Sequence, residues 1–170
     1  MANSNQAISA APSVIITSEA LLEHWQGHRK LTRRMIEAFP EDKLFTYSVG
    51  GMRPFSELVL EMLGMAVPGI KGLITGKWQT YDEAFAAAAA PGSKTELLER
   101  WDETTEALNA LWPQIPPHRF QETDTAFGQW EGTGYFFIFY FIDNEIHHRG
   151  QAYVYLRSLN IEPPAFWDRS

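Results

Sequence analysis

No proline interrupts the stretch between Thr133 and Asn160, and partway along it the sequence changes character abruptly. Phe136, Phe137, Ile138, Phe139, Tyr140, Phe141 and Ile142 are apolar on every side of a helix, and Asp143, Asn144, Glu145, His147 and His148 follow at once. A helix apolar all round has to be buried, either centrally or against a partner subunit. Polar groups set into it must pair, bind a metal or reach a water-filled cleft. Whatever this chain folds into therefore has to enclose this one helix, which starts near Thr133 and ends before Pro163 and Pro164.

Helical spacing divides the polar cluster into faces. Asn144 and His148 share one with Phe137, Phe141, Gln151 and Tyr155, whereas Asp143 and His147 share a neighbouring face with Tyr140, Gly150 and Val154. The plainest reading is a hydrogen-bond network joining helices, with Arg149 on a nearby carboxylate. Glu145 and His148 also make the Glu-x-x-His spacing of di-iron helical proteins, but no other histidine supplies the second pair such sites need. His24 and His28, four residues apart, are a possible chelating pair. Trp25 follows His24, so the zinc-protease motif is absent, and the spacing fits a border residue beside a core-facing one.

The rest of the chain reads as three further long helices. Thr17 or Ser18 caps the first, whose stripe is Leu21, Trp25, His28, Thr32, Met35 and Phe39, and Pro40 stops it. Gly50, Gly51 and Pro54 mark a linker, and Phe55 opens the second, with a break or kink expected near Val67 because Pro68 lacks a backbone donor. Gly69, Gly72 and Gly76 suggest a loosened continuation. Tyr81 to Ala90 reads as a short helix ended by Pro91 and Gly92. Ser93 and Glu96 are spaced as a capping box for the third long helix, through Leu97, Trp101, Thr104, Leu108 and Leu111. Residues 115–131 read as a polar loop. With no strand alternation, this is an all-α chain: an up-and-down four-helix bundle with an extra short helix between helices 2 and 3. Residues 1–13 read as a flexible lead-in and 14–170 as one domain.

Fourteen Lys plus Arg against twenty-one Asp plus Glu give a net charge of −7, which opposes nucleic-acid binding. With no cysteine there is no disulfide, thiolate ligand or protein thiol nucleophile, and a cytoplasmic setting is expected. The N-terminus has no signal-peptide pattern, and the apolar run from Tyr135 to Ile142 is too short to span a bilayer, so no membrane partner is expected.

Two segments carry a resemblance. The run Asn144-Glu145-Ile146-His147-His148-Arg149-Gly150-Gln151, with Tyr155-Leu156-Arg157 and Pro163-Pro164, resembles the end of the DinB/YfiT-like family, and Arg53-Pro54-Phe55-Ser56-Glu57-Leu58-Val59-Leu60-Glu61 resembles its helix-2 entry. The resemblance implies a four-helix bundle, a homodimer and a divalent metal held by three histidines. Those positions fall on Glu61, Asn144 and His148, so two of the three histidines are replaced. It further implies a metal-dependent enzyme in which manganese, iron, nickel or zinc activates a low-molecular-weight thiol or water on a small-molecule substrate. Gln151 and Tyr155 would orient that substrate; no catalytic residue is assigned. Oxygen-preferring ions suit this donor set best. Two alternatives stay open: a metal-free bundle, dimeric and small-ligand-binding or stress-linked, and a purely structural dimer.

Overall fold

The computed structural model describes residues 15–86 and 91–170. The expected lead-in at 1–13 and the end of the alanine run lie outside the described residues. The described chain is mostly helical: α1 (Ser18–Ala38), α2 (Glu41–Leu44), α3 (Phe55–Thr75), α4 (Tyr81–Ala86), α5 (Lys94–Leu111) and α6 (Gly134–Ser158).

Local chemistry sets the helix ends. The Thr17 hydroxyl accepts from the Ala20 backbone N–H at 3.1 Å, and the Thr133 hydroxyl accepts from that of Phe136 at 3.3 Å. At α5 the Ser93 hydroxyl accepts from Glu96 N–H at 3.1 Å as the capping box requires. The Glu96 carboxylate, however, accepts from Gly92 N–H at 2.8 Å, one residue earlier than that motif places it. All six residues of the α1 stripe are buried.

Four expectations need correction. First, α3 runs unbroken through Pro68. Its glycines are sites of close approach: a Cβ on Gly69 would stand 2.5 Å from the Phe141 ring, and one on Gly72 2.3 Å from Trp78. Packing of these rings offsets the poor helix propensity. Gly76, at φ +68°, then ends the helix in the left-handed region.

Second, the polar loop contains an antiparallel hairpin, β1 (Thr123–Ala126) and β2 (Trp130–Thr133), with Ala126 opposite Trp130 and Thr123 opposite Thr133. Four-residue strands are too short to show a readable alternation. Phe127 and Gly128, both at positive φ, make the turn. Third, the start of α6 is not central in the chain: Phe136, Phe139 and Tyr140 are 54%, 41% and 52% exposed, while Phe137, Ile138, Phe141 and Ile142 are buried.

The four long helices pack side by side, α1 and α3 each against both α5 and α6. Fourth, their directions do not alternate. Gln26 bonds Asn109 and Arg33 bonds Asp102, so α1 and α5 run antiparallel. Tyr155, late in α6, bonds the carbonyl of Arg53 just before α3, so α3 and α6 are antiparallel too. Trp25 with Glu145 and His28 with Arg149 pair α1 and α6 in parallel. The chain after Thr75 thus returns to the end where α3 began, and the order is up-down-down-up rather than strictly alternating.

The apolar core falls into two clusters. One holds Leu21, Trp25, Met65, Ile70, Trp112 and Phe141; the other holds Met35, Phe39, Leu58, Met62, Trp101 and Tyr155. Each long helix contributes to both, and its polar buried residues lie between: His28, Arg29 and Thr32 on α1, and Glu145, His148 and Arg149 on α6. A polar belt crosses the waist of the fold. By length and mean hydropathy, 1.5 over its most apolar window, α3 could cross a membrane, but 56% of that window is buried inside the protein.

Candidate functional site

At the waist, α6 turns Asn144 and His148 toward α3, where Glu61 meets them. His148 Nε2 lies 3.0 Å from Glu61 Oε1, and Asn144 Nδ2 donates to the same oxygen at 3.1 Å. Asn144 Nδ2 is also 3.2 Å from His148 Nε2. The Arg53 guanidinium donates to Glu61 Oε2 from the helix entry. Hydrogen bonds from His148, then from Arg53 and Asn144, outweigh the opposing effect of burial and hold the Glu61 carboxyl down at about 2. Glu61 is therefore an anion at neutral pH, with its side chain 16% exposed.

Gln151 and Tyr155 stand behind this cluster. Gln151 Oε1 is 2.9 Å from His148 Nδ1, so it orients the imidazole. The Tyr155 hydroxyl donates to the Arg53 carbonyl at 2.9 Å, anchoring the residue that holds Glu61.

Glu61 also lines a cavity of about 320 Å³ that neither Gln151 nor Tyr155 borders. Its walls are largely aromatic, among them Tyr81, Phe127, Trp130, Phe137, Tyr140 and Phe141, drawn from α4, the hairpin and α6. A cavity of this size and apolar character is what small-molecule sites look like. The sequence carries little signal for it, because its walls come from segments that only the fold assembles. The ring run of α6 is the one visible hint, and part of it faces this space instead of core.

The neighbouring polar residues of α6 do something else. Glu145 Oε1 accepts from Thr32 at 2.6 Å and Oε2 from the Trp25 indole at 3.1 Å. Arg149 donates to Thr32 at 3.0 Å and lies 2.8 Å from His28 Nδ1; Arg29 lies over the Trp101 ring at 3.9 Å. Glu145 and His148 thus face different helices, and the Glu-x-x-His spacing builds no shared site. His24 is exposed and its ring meets that of His28 edge-on at 4.8 Å, while His28 Nδ1 turns inward to Arg149.

Among the described residues, no three His, Cys, Asp or Glu side chains are grouped to hold a metal. The set Glu61, Asn144 and His148 mixes carboxylate, carboxamide and imidazole. Asn144 Oδ1 is shut off from solvent without a hydrogen-bond partner, while its Nδ2 faces Glu61 and His148. With the amide turned over, two oxygens and one nitrogen would converge. That set fits an oxygen-preferring ion and suits zinc or nickel poorly.

Comparison with known proteins agrees with this fold. A DinB-like protein of Bacillus subtilis superposes with a TM-score of 0.69 at 19% identity, over 88% of this chain and 99% of that one. A DinB-like protein of Bacillus cereus gives 0.69 at 18%, over 88% and 97%. No curated protein matches the sequence. The DinB family model matches residues 1–168, and the chain belongs to the DinB family.

Proposed function

We propose that this chain is a small-molecule-binding DinB protein, its four long helices forming a four-helix bundle with the ligand site at the waist. The observation that carries the reading is an ionised, largely buried carboxylate, Glu61, bordering a cavity of about 320 Å³. His148, Asn144 and Arg53 fix that carboxylate in place, and Gln151 fixes His148. Such a wall orients a ligand by hydrogen bonding while the rings supply contact area.

A second reading, metal-dependent thiol or water activation, is favoured by the unpartnered Asn144 Oδ1. Glu61, Asn144 and His148 would hold manganese, iron or another oxygen-preferring divalent ion, which would polarise a bound thiol or water. In either reading Gln151 and Tyr155 support the site from behind.

The deciding experiment is the metal content of untagged protein purified without chelator, beside His148→Ala, with thermal shifts against a small-ligand panel. Little metal and ligand shifts lost in Glu61→Ala are expected. A stoichiometric ion that disappears in His148→Ala would make the second reading the right one. Absence of both metal and ligand shifts would overturn both.

A further inference from the structure

We propose that the ligand of this cavity is a small organic ammonium ion, an amine or quaternary ammonium carried on an apolar body. The proposal rests on reading the cavity as the ligand site, and it names the chemistry that site selects.

Among the described residues that line the cavity, Glu61 alone carries a formal charge, and it is negative. Arg53, its partner, sits outside the lining and is half-exposed. Glu61 has three polar protein partners, His148, Asn144 and Arg53. A carboxylate offers about four lone-pair directions, so one more donor can be accommodated. An N–H or N–CH₃ group with positive charge suits that position, and a second carboxylate does not.

The walls favour the same ligand. Tyr81 stands edge-to-face with Trp130 at 5.8 Å and 68°, and Phe127 meets Trp130 at 6.2 Å and 76°. Phe127 in turn crosses Phe141 at 73°. Rings set at steep angles around one space present both faces and edges to it. The faces carry negative quadrupole potential that attracts ammonium ions. The Tyr81 hydroxyl is held protonated, first by burial and then by the Glu61 charge, so it remains a neutral wall. The volume corresponds to about ten water molecules, enough for an aryl-alkyl amine.

Three soluble probes of matched shape test this in the full chain by calorimetric titration at neutral pH: 2-phenylethylammonium, 2-phenylethanol and phenylacetate. The ammonium ion should bind at least tenfold more tightly than the alcohol, with phenylacetate weakest. In Glu61→Gln the ammonium should lose at least tenfold in affinity, and its advantage over the alcohol should shrink below threefold. Trp130→Ala, at a half-exposed residue whose loss does not threaten the fold, should weaken the ammonium more than the alcohol and keeps the test available if Glu61→Gln misfolds. Alcohol or phenylacetate binding as well as the ammonium would overturn the charge selection yet leave the ligand site standing. Failure of all three to bind a folded protein would overturn both.

Discussion

Asn144 and Glu145 are adjacent in sequence, as are His148 and Arg149, yet the two members of each pair serve opposite halves of the waist. Glu145 and Arg149 point to α1 and join Arg29, His28 and Thr32 in a set whose residues are all buried. Asn144 and His148 point to α3 and join Glu61, which borders the aromatic cavity. Residue types are nearly the same on both sides. The closed set even has buried atoms without a hydrogen bond, His28 Nε2 and Arg29 Nη1. What separates them is space: one carboxylate is locked between arginines, and the other faces a volume a ligand can fill. Charge and burial alone do not mark a site.

The largest effect that can test this contrast is expected from Glu145→Ala. It leaves Arg29 and Arg149 buried without their carboxylate and should cost about 3–5 kcal/mol in urea unfolding. A loss below about 1 kcal/mol would remove the distinction. Acid separates the two sets next. Burial first, and Arg149 next, lower the His28 pKa from 6.5 to about 3. Between those values the unfolded chain binds a proton that the folded chain refuses. Stability is therefore full above pH 6.5 and falls as the pH drops toward 3, by up to about 1.4 kcal/mol per unit. His28→Gln should flatten that slope. Glu61, lowered from 4.5 to about 2, adds its own loss only as the pH falls below 4.5, and Glu61→Gln should remove that part alone.

Smaller still is Glu61→Ala, expected to cost about 1–2 kcal/mol, because His148 keeps Gln151 and Asn144 as partners. Equality with Glu145→Ala would show that the cavity-side set is structural as well. The smallest effect is expected from Trp130→Ala: its side chain is half-exposed, so stability should change by no more than about 0.5 kcal/mol while ligand binding weakens. A large stability loss there would reassign the cavity wall to the core.

Much of the fold was legible because its signals are local. Thr17, Ser93 and Thr133 cap helices through bonds spanning three residues, and Pro40 ends one by steric rule. The α6 face that carries Phe137, Phe141, His148 and Tyr155 is buried as its spacing indicates, and Tyr140, His147 and Val154 fall on the exposed one. Pro68 misled because a proline inside a helix is judged by its missing bond, whereas α3 also packs its glycines against Phe141 and Trp78. The apolar run of α6 is not wholly central, because apolar residues also line cavities and open surface. For the site, the family resemblance brought Glu61, Asn144 and His148 together across more than eighty residues of chain, and the structure places all three within hydrogen-bonding distance. Arg53 was visible only as part of the helix entry, and nothing assigned it to Glu61.

By itself the sequence determined where α1, α5 and α6 begin, where α1 ends, which face of α1 is buried, and that the polar cluster of α6 had to be satisfied. These follow from bonds and periodicities spanning a few residues. The tertiary structure alone decided that α3 and α5 run the same way, that Glu145 pairs inward while Glu61 faces a cavity, and that the 127–130 turn closes over it. Those outcomes depend on contacts between segments tens of residues apart, and no local pattern encodes which buried charge is given a partner and which is given space.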